Sequence, residues 1–250
     1  MVEVPAVLEV RGANVRFGGH AAVRDVDLEC DAGQITGLIG PNGAGKTTTF
    51  NVITGLQDTV SGRVLLHGKD IAHLKAHARA RRGIARTFQR LEVFGSLTAV
   101  ENVQTAAEIR RSWSRDRSID PRREAMAILE RVGIRSVAHE RVDALPTGLA
   151  RLVELGRALA TRPTVLLLDE PASGLDESES DDFAQLLLEL ADEGMAILLV
   201  EHDVQLVMKV CSLIHVLDFG AILAVGTPAE IQQDQVVLDA YLGTPAEAPA

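Results

Sequence analysis

The stretch Gly40-Pro41-Asn42-Gly43-Ala44-Gly45-Lys46-Thr47-Thr48 carries the complete pattern G-x-x-x-x-G-K-T, and the apolar segment 35–39 directly precedes it. A buried strand, this loop and a following helix together form the setting in which the pattern binds phosphate. Its glycines let backbone N–H groups surround the phosphate, Lys46 adds a positive charge, and Thr47 offers a hydroxyl ligand to Mg²⁺. A chance glycine-rich turn is the alternative, which the strand context and the full spacing disfavour.

The stretch therefore predicts a nucleotide triphosphate site on an α/β fold. The helix that begins near Gly45 directs the positive end of its dipole at the same phosphates. The residues expected to contact the nucleotide in this loop are Gly40, Asn42, Gly43, Ala44, Gly45, Lys46, Thr47 and Thr48.

Composition is that of an ordinary globular chain. Of the 250 residues, 46% are hydrophobic, enough for a sizeable core in one large domain or two small ones. The apolar runs 165–168 and 195–200 are far shorter than the about 20 residues that span a bilayer. Residues 1–5 show neither a basic nor a long apolar stretch, so we expect no export signal and a cytoplasmic location. Cys30 and Cys211 stand singly, which predicts buried free thiols and no metal cage.

Charge is unevenly distributed along the chain. The formal net charge is −10, yet residues 75–141, here called the basic island, hold 15 Lys and Arg against 8 Asp and Glu, a net of +7. Three interpretations stay open: a solvated helical face with internal ion pairs, a surface for anionic lipid headgroups or an acidic partner loop, and a nucleic-acid surface. The overall acidity and an aromatic content of 3% disfavour the last, so we expect no nucleic-acid partner.

Apolar periodicity and turn residues predict two β/α regions around an inserted helical lobe. The expected strands lie at 7–10, 15–17, 23–29, 35–39, 63–66, 84–88, 165–168, 195–200 and 213–218. Besides the helix after the phosphate loop, helices are expected at 71–82, 178–193 and 204–210. Between about 98 and 142 the sequence is mainly helical, with Pro121 placed to start a helix and Gly133 to end one.

Titratable residues follow two of the predicted strands. Asp169 and Glu170 come at the carboxyl end of strand 165–168, where ligands bind in open α/β sheets. Asp169 is expected to hold Mg²⁺ through water, and Glu170 to orient and polarise the water that attacks the γ-phosphate. His202 follows the next strand and so reaches the same edge of the sheet, where an imidazole can hydrogen-bond the γ-phosphate.

These motifs, in this order, resemble the ATP-binding subunits of ABC transporters over essentially the whole chain. The matching features are the phosphate loop, Gln89 after Arg86-Thr87-Phe88, a helix opening at Leu145, Asp169-Glu170, Ser173-Gly174-Leu175-Asp176 and His202. Within that family, Phe17-Gly18-Gly19, the stretch 83–89 and Ala240-Tyr241-Leu242-Gly243 resemble the subunits of importers for branched-chain amino acids and urea.

The resemblance implies a role for each matched residue. Phe17 would stack on the adenine of ATP, Gln89 would couple the γ-phosphate and Mg²⁺ to the helical lobe, and Asp176 would lie across a dimer seam. His202 would be the switch histidine. The implied catalytic residues are Glu170, His202 and Gln89, and the implied Mg²⁺ ligands are Thr47, Gln89 and Asp169.

The resemblance also implies the architecture. We expect a P-loop NTPase core of the ABC ATPase type with an antiparallel β subdomain and an inserted helical subdomain. A single nucleotide-binding domain would cover 1–250, with its catalytic core at 1–88 and 161–243 and the helical subdomain at 89–160. The segment 244–250 has nothing to bury and is expected to be a flexible tail.

One segment departs from the family. Where the family has Leu-Ser-Gly-Gly-Gln, this chain has Leu145-Pro146-Thr147-Gly148-Leu149, so only Leu145 and Gly148 match. In the family the serine donates a hydrogen bond to the γ-phosphate held by the opposite subunit, whereas Pro146 has neither a hydroxyl nor an N–H. Proline suits a first helical turn, so we expect the helix to form, with Leu145 and Gly148 still at the nucleotide but altered phosphate contacts.

The implied function is that of an ATPase subunit powering an importer for branched-chain amino acids or a related small polar solute. It would dimerise around ATP with a second ATPase subunit, a heterodimer being favoured, and act on membrane permease subunits served by a solute-binding protein. Contact with the permeases would hold it on the inner face of the cell membrane. Two alternatives stay open: a soluble ABC ATPase without a transport role, and a weakly hydrolysing regulatory subunit.

Overall fold

The computed structural model describes residues 6–114 and 120–242. The tail expected at 244–250 therefore lies outside the described residues. The strands are β1 (Leu8–Phe17), β2 (His20–Cys30), β3 (Ile35–Ile39), β4 (Ser61–Leu66), β5 (Lys69–Asp70), β6 (Ile84–Arg86), β7 (Val165–Asp169), β8 (Ala196–Val200), β9 (Leu213–Asp218) and β10 (Ala221–Gly226). The helices are α1 (Lys46–Thr54), α2 (Ala76–Ala80), α3 (Ala99–Trp113), α4 (Pro121–Arg131), α5 (Thr147–Ala160), α6 (Glu177–Asp192), α7 (Val204–Val210), α8 (Pro228–Gln233) and α9 (Gln235–Leu242).

A six-stranded sheet, in the order β10-β9-β3-β8-β7-β6, forms the centre of the fold. The five strands from β9 to β6 are parallel, and β10 joins the edge antiparallel to β9. Strands β3, β7 and β8 are buried along their whole length and apolar except for Thr36 and Asp169, as expected for parallel strands covered on both faces. Because parallel strands end at one edge, the segments that follow β3, β8, β7 and β6 lie side by side.

A second sheet, in the order β2-β1-β4-β5, is antiparallel throughout and confirms the predicted β subdomain. The strands expected at 7–10 and 15–17 are one continuous strand, β1, whose register shifts between Val10 and Ala13. Gly12 lies in this shift with a φ of 57°, a conformation that glycine adopts without strain.

The helical lobe consists of α3, α4 and α5, which pack on one another. Thr98 and Glu101 form a capping box at the start of α3. As predicted, Pro121 begins α4, and Gly133 follows its end with a φ of 77°. Within residues 6–114 and 120–242, no helix is both long and apolar enough to cross a membrane.

One expected element is wrong in extent, and four elements were not predicted. The helix expected at 71–82 is limited to α2, because the Ile71 N–H donates to Val64 O at 2.8 Å and the Ala72 N–H donates to Asp70 Oδ1 at 2.8 Å. These bonds hold 71–72 in a turn beside the antiparallel sheet. Strands β5 and β10 and helices α8 and α9 were not predicted; the apolar run of β10 follows the tight turn at Phe219-Gly220.

Arg79 connects α2 to the end of α1 from a buried position, 3% exposed. Its guanidinium donates to four main-chain carbonyls: Val52 O at 2.6 Å, Ile53 O at 2.9 Å, Leu74 O at 2.9 Å and Ala72 O at 2.8 Å. Two of these carbonyls belong to the last turn of α1, where carbonyls lack their usual donors four residues on, although Val52 O also accepts the Gly55 N–H at 3.2 Å. Arg79 therefore satisfies the carboxyl end of the helix that follows the phosphate loop.

Many arginines of the basic island are paired inside the chain. Ion pairs within it or to the rest of the chain are Arg86–Asp169, Arg110–Glu124, Arg131–Glu193, Arg135–Glu130 and Arg141–Asp143. This favours the first of the three interpretations, in which the positive charges serve internal pairing. Residues 115–119 of the island lie outside the described part of the chain.

Both cysteines are buried and free, as predicted. Burial raises the pKa of each thiol, Cys30 and Cys211, to about 12. The thiolate, the reactive form, is therefore disfavoured at neutral pH.

His215 occupies a buried position on β9, 5% exposed, between Leu38 of β3 and Val225 of β10. Neither ring nitrogen has a hydrogen-bond partner within the part of the chain that the structure describes. Burial lowers the pKa of His215 from 6.5 to about 4. The folded protein thus keeps this imidazole neutral at a pH where an unfolded chain protonates it.

We expect His215 to make the folded protein less stable in mild acid. Its pKa is lower in the folded state, so stability is unaffected above pH 6.5 and is lost as the pH falls from 6.5 towards 4. Between pH 7 and pH 5 the loss amounts to about 2 kcal/mol. Urea unfolding of wild type and His215→Leu at both pH values measures it: the variant should lose less stability, whereas exposed His73→Gln should follow the wild type. Equal losses in His215→Leu and wild type would contradict this.

Candidate functional site

The phosphate loop turns sharply between β3 and α1, in a shape that only glycine permits at two positions. Gly40 has a φ of 152°, and a Cβ there would lie 2.0 Å from Leu217 O. At Gly45, with a φ of 110°, a Cβ would lie 2.6 Å from Ala22 O. Glycine at these two positions thus lets the loop pack directly against the backbones of β9 and β2 in the conformation that a phosphate loop needs.

Lys46 lies in this loop, 8% exposed. Its Nζ donates to the loop's own carbonyls, Gly40 O at 2.6 Å and Pro41 O at 3.0 Å. Burial lowers the pKa of Lys46, and the nearby charges of Glu170 and Asp169 oppose that shift. The ammonium is therefore held where the loop surrounds a phosphate.

Glu170 follows β7 and is the meeting point of two other predicted site residues. Its Oε1 accepts a hydrogen bond from Gln89 Nε2 at 2.8 Å and lies 2.9 Å from His202 Nε2. The backbone of Glu170 has a left-handed φ of 51°, and its N–H donates to Val200 O at 2.8 Å. For a non-glycine residue this backbone conformation costs about 1–3 kcal/mol of free energy. The hydrogen bond to β8 holds the backbone of Glu170 in this conformation, and so the carboxylate in place, despite that cost.

Asp169 is almost fully buried and pairs with an arginine. Arg86 Nη2 lies 2.9 Å from Asp169 Oδ2, and Arg86 Nη1 donates to Asn51 Oδ1 at 2.6 Å. The guanidinium lies between the rings of Phe50 and Phe88, 5.3 and 4.8 Å from their centroids. Burial raises the pKa of Asp169, and the Arg86 charge opposes this by stabilising the carboxylate.

These groups line one open depression of about 240 Å³ at the carboxyl edge of the central sheet. It is lined by Ala22, Asn42, Gly43, Ala44, Gly45, Lys46, Thr47, Thr48, Gln89, Asp169, Glu170, Val200 and His202. The structure therefore brings together the phosphate loop and all the residues predicted for catalysis and for Mg²⁺.

The donor set fits a nucleotide triphosphate with Mg²⁺. The glycine-rich loop and Lys46 suit phosphate oxygens, while the Thr47 hydroxyl, the Gln89 amide and the Asp169 carboxylate supply the oxygen ligands that Mg²⁺ prefers. In residues 6–114 and 120–242 no group of three or more His, Cys, Asp or Glu side chains could hold a metal by itself. Mg²⁺ usually keeps waters and phosphate oxygens as ligands, so a few protein oxygens suffice.

Comparison with protein families also indicates a nucleotide-binding protein. The profile of the family described as ABC transporter matches residues 23–173. The chain belongs to the ABC transporter family. It is accordingly an ATPase whose ATP hydrolysis is coupled to transport. A second profile, described as branched-chain amino acid ATP-binding cassette transporter, matches residues 221–247 of this cassette.

Curated relatives align over nearly their whole length. The branched-chain amino acid transport ATP-binding protein BraF of Pseudomonas aeruginosa is 41% identical over 252 residues, covering 95% of this chain and 98% of BraF. LivG of Escherichia coli, named for the same transport, is 37% identical over 95% of this chain and 98% of LivG. The lipopolysaccharide export ATP-binding protein LptB of Escherichia coli is 36% identical with the same coverage.

A solved structure has the same fold. A nucleotide-free ATP-binding cassette from an ABC transporter superposes with a TM-score of 0.86 at 29% identity, covering 96% of this chain and all of that one. The expected ABC-type architecture is thereby confirmed, including both the antiparallel sheet and the parallel sheet.

Five predicted nucleotide contacts of this ABC cassette do not line the depression: Gly40, which begins the phosphate loop, and Phe17, Leu145, Gly148 and Asp176. Phe17 ends β1 and is 53% exposed. Leu145 and Gly148 flank the start of α5, where a Cβ on Gly148 would lie 2.9 Å from Gly174 O. Asp176 caps α6 by accepting the Glu179 N–H at 2.8 Å. The helix expected to open at Leu145 begins at Thr147, and Pro146 is its N-cap without a side-chain hydrogen bond.

Two residues at the cassette's site escaped the sequence analysis. Arg86 was quoted only as part of a motif, although its guanidinium holds Asp169. Glu201, 8% exposed, accepts the Ala172 N–H at 2.8 Å and the His202 N–H at 3.1 Å, and so orders the segment that carries the histidine. A carboxylate at the end of an apolar strand was the available signal for Glu201.

Proposed function

We propose that this cassette hydrolyses ATP to power an importer for branched-chain amino acids or a related small polar solute. One observation carries the catalytic part: the Glu170 carboxylate is held between Gln89 and His202 beside the phosphate loop. The substrate class is supported by the profile matched at 221–247 and by the names of BraF and LivG.

In this proposal Glu170 is the base that polarises the attacking water. Its second carboxylate oxygen, Oε2, is not used by Gln89 or His202 and can accept a proton from water. Gln89 and His202 fix the carboxylate at Oε1 and, as donors, can also reach the γ-phosphate. Hydrolysis then breaks the bond between the β–γ bridging oxygen and the γ-phosphorus while the water oxygen bonds to that phosphorus.

Binding follows from the remaining groups of the site. Lys46 and the main-chain N–H groups of the loop would hold the β- and γ-phosphates, and Mg²⁺ would be bound by Thr47, Gln89 and Asp169. When bound, Mg²⁺ neutralises charge on the phosphates. Exposed Phe17 would supply a ring face for adenine.

We propose that a second ATPase subunit binds against the signature segment, residues 145–149. Gly148 packs on the Gly174 carbonyl, so the start of α5 and the segment that leads to Asp176 form one surface. From this surface the chain would contact the nucleotide bound by the partner through Leu145 and Gly148. It would contact the partner subunit itself, at the dimer seam, through Asp176. The altered signature favours a heterodimer, in which the other subunit supplies an intact one.

Membrane permease subunits would dock in a groove beside Gln89. This groove, of about 410 Å³, lies between α2, α3, α5 and the segment after β6. Leu56 and Ile109 on its rim are 57% and 52% exposed, and Phe88 of its lining is next to Gln89. Docking here would place the cassette on the cytoplasmic face of the membrane, with a solute-binding protein completing the importer.

Reconstitution tests this function. The cassette, assembled in proteoliposomes with the permease and ATPase subunits encoded beside it, should drive ATP-dependent uptake of labelled leucine, isoleucine or valine when the binding protein is present. Uptake should vanish without ATP. ATP hydrolysis that responds to lipopolysaccharide but not to these amino acids would contradict the substrate class, and hydrolysis by a cassette that joins no membrane subunit would contradict the transport role.

A further inference from the structure

The segment between β6 and α3 is irregular, yet side chains of α5 satisfy its main chain. The Phe88 N–H and the Glu92 N–H both donate to Glu154 Oε1 at 3.2 Å. Arg151 donates from Nη1 to Phe88 O at 2.5 Å and from Nη2 to Gln89 O. Peptide groups need hydrogen-bond partners, and here one helix provides them for residues 88, 89 and 92.

Two of the three α5 side chains that hold this segment are themselves buried and paired; the third, Arg157, donates to Glu92 O. Arg151 and Glu154 are 8% and 4% exposed, and Arg151 Nη1 lies 3.1 Å from Glu154 Oε2. Burying two charges is costly, so such a pair is weak evidence for stabilisation. The planar fork of Arg151 instead matches two successive carbonyls, a geometric role that a lysine cannot reproduce.

The segment held in this way carries Gln89, whose side chain reaches from the helical lobe to the core. Gln89 O accepts from Arg151, while Gln89 Nε2 donates to Glu170 Oε1 at 2.8 Å. A single residue therefore connects α5 to the carboxylate at the site. Neither Arg151 nor Glu154 lines the depression around the phosphate loop.

We propose that Arg151 and Glu154 are positioning residues for ATP hydrolysis: they fix the main chain of 88–92 to α5 and thereby set where Gln89 stands against Glu170. This rests on the proposed function, in which Glu170 polarises the water. Glu154 also lines the groove proposed for the permease, so a protein seated there would contact Glu154. Misplacing a catalytic group by about 1 Å can lower a rate by about 10²-fold.

The helical lobe offers a matched control pair. Arg110 of α3 and Glu124 of α4 lie 2.5 Å apart and are 12% and 11% exposed. This pair has the same chemistry and joins two helices, but its hydrogen bonds and ion pairs do not reach residues 88–92. If a buried ion pair contributed only to the stability of the fold, replacing either pair would have a similar effect on kcat.

The test compares the full-length double variants Arg151→Met/Glu154→Leu and Arg110→Met/Glu124→Leu with wild type, each assembled with the partner ATPase subunit and the permease subunits. Hydrogen exchange of peptides covering 86–94, kcat and KM for ATP, and the thermal midpoint are measured. The Arg151→Met/Glu154→Leu variant should exchange at least about tenfold faster at 88 and 92 and lose about tenfold in kcat, with KM within about twofold. The control pair should change none of these kinetic or exchange values.

Single variants give a graded series if the double variant does not fold. Glu154→Gln keeps an oxygen for the Phe88 and Glu92 N–H groups and should retain more kcat than Glu154→Ala, and Arg151→Lys should lose kcat although it keeps the charge. Faster exchange with unchanged kcat, or equal kcat losses in both double variants, would overturn the proposal. A wild type without ATP hydrolysis would instead contradict the proposed function, and it is measured first.

Discussion

Replacing Glu170 by glutamine is expected to lower ATP hydrolysis by about 10²–10⁴-fold while leaving ATP binding intact. The amide keeps the size of the side chain and an oxygen that can accept from Gln89 Nε2. It cannot accept a proton from the water, because an amide is not a base in this pH range. ATP should then remain in the dimer that it brings together, so the ATP-bound dimer should accumulate.

Phosphate release in the assembled transporter, ATP binding and size-exclusion chromatography with light scattering measure the three parts of this prediction. Glu108→Gln is the matched control, since Glu108 is an exposed carboxylate of α3 that contacts Gln104. Undiminished phosphate release by Glu170→Gln would remove Glu170 from the mechanism. Loss of ATP binding would show instead that the carboxylate is needed to shape the site.

Which residues meet at the site was largely predictable, because each motif lies next to an apolar strand that the sequence identifies. The glycine loop follows the apolar strand β3, and Asp169 and His202 follow the apolar strands β7 and β8. Parallel strands end at one edge, so the residues after them had to converge. The neighbour order β3-β8-β7-β6, which places Gln89 beside Glu170, depends on long-range pairing that no local pattern encodes.

The contacts that refine the site join residues far apart in sequence, and these were not predictable. Arg86 and Asp169 are 83 positions apart, and Arg151 and Phe88 are 63 apart. The composition of the basic island predicts that its arginines lie on the surface. Only the packed structure shows that Arg86 lies between two aromatic rings and that Arg151 binds main-chain carbonyls.

The altered signature implies that the two ATP sites of a heterodimer differ. In the proposed dimer each phosphate loop is completed by the partner's signature helix, so Leu145–Leu149 of this chain acts at the site built on the partner's loop. Pro146, the N-cap of α5, offers no hydroxyl or N–H there, and Thr147 packs against Gly174. The site on this chain's own loop is completed by an intact signature and is the stronger one.

Lys46→Ala in this chain is therefore expected to remove most turnover of the heterodimer, while the equivalent lysine change in the partner leaves most of it. Restoring the signature with Pro146→Ser/Thr147→Gly should raise turnover at the weaker site about 10–10²-fold, since the regained charge-assisted hydrogen bond is worth about 1.5–3 kcal/mol. Turnover of the assembled transporter carrying each change measures both effects. If Lys46→Ala leaves most activity while the partner's change abolishes it, the asymmetry runs in the opposite direction; equal losses would indicate two equivalent sites.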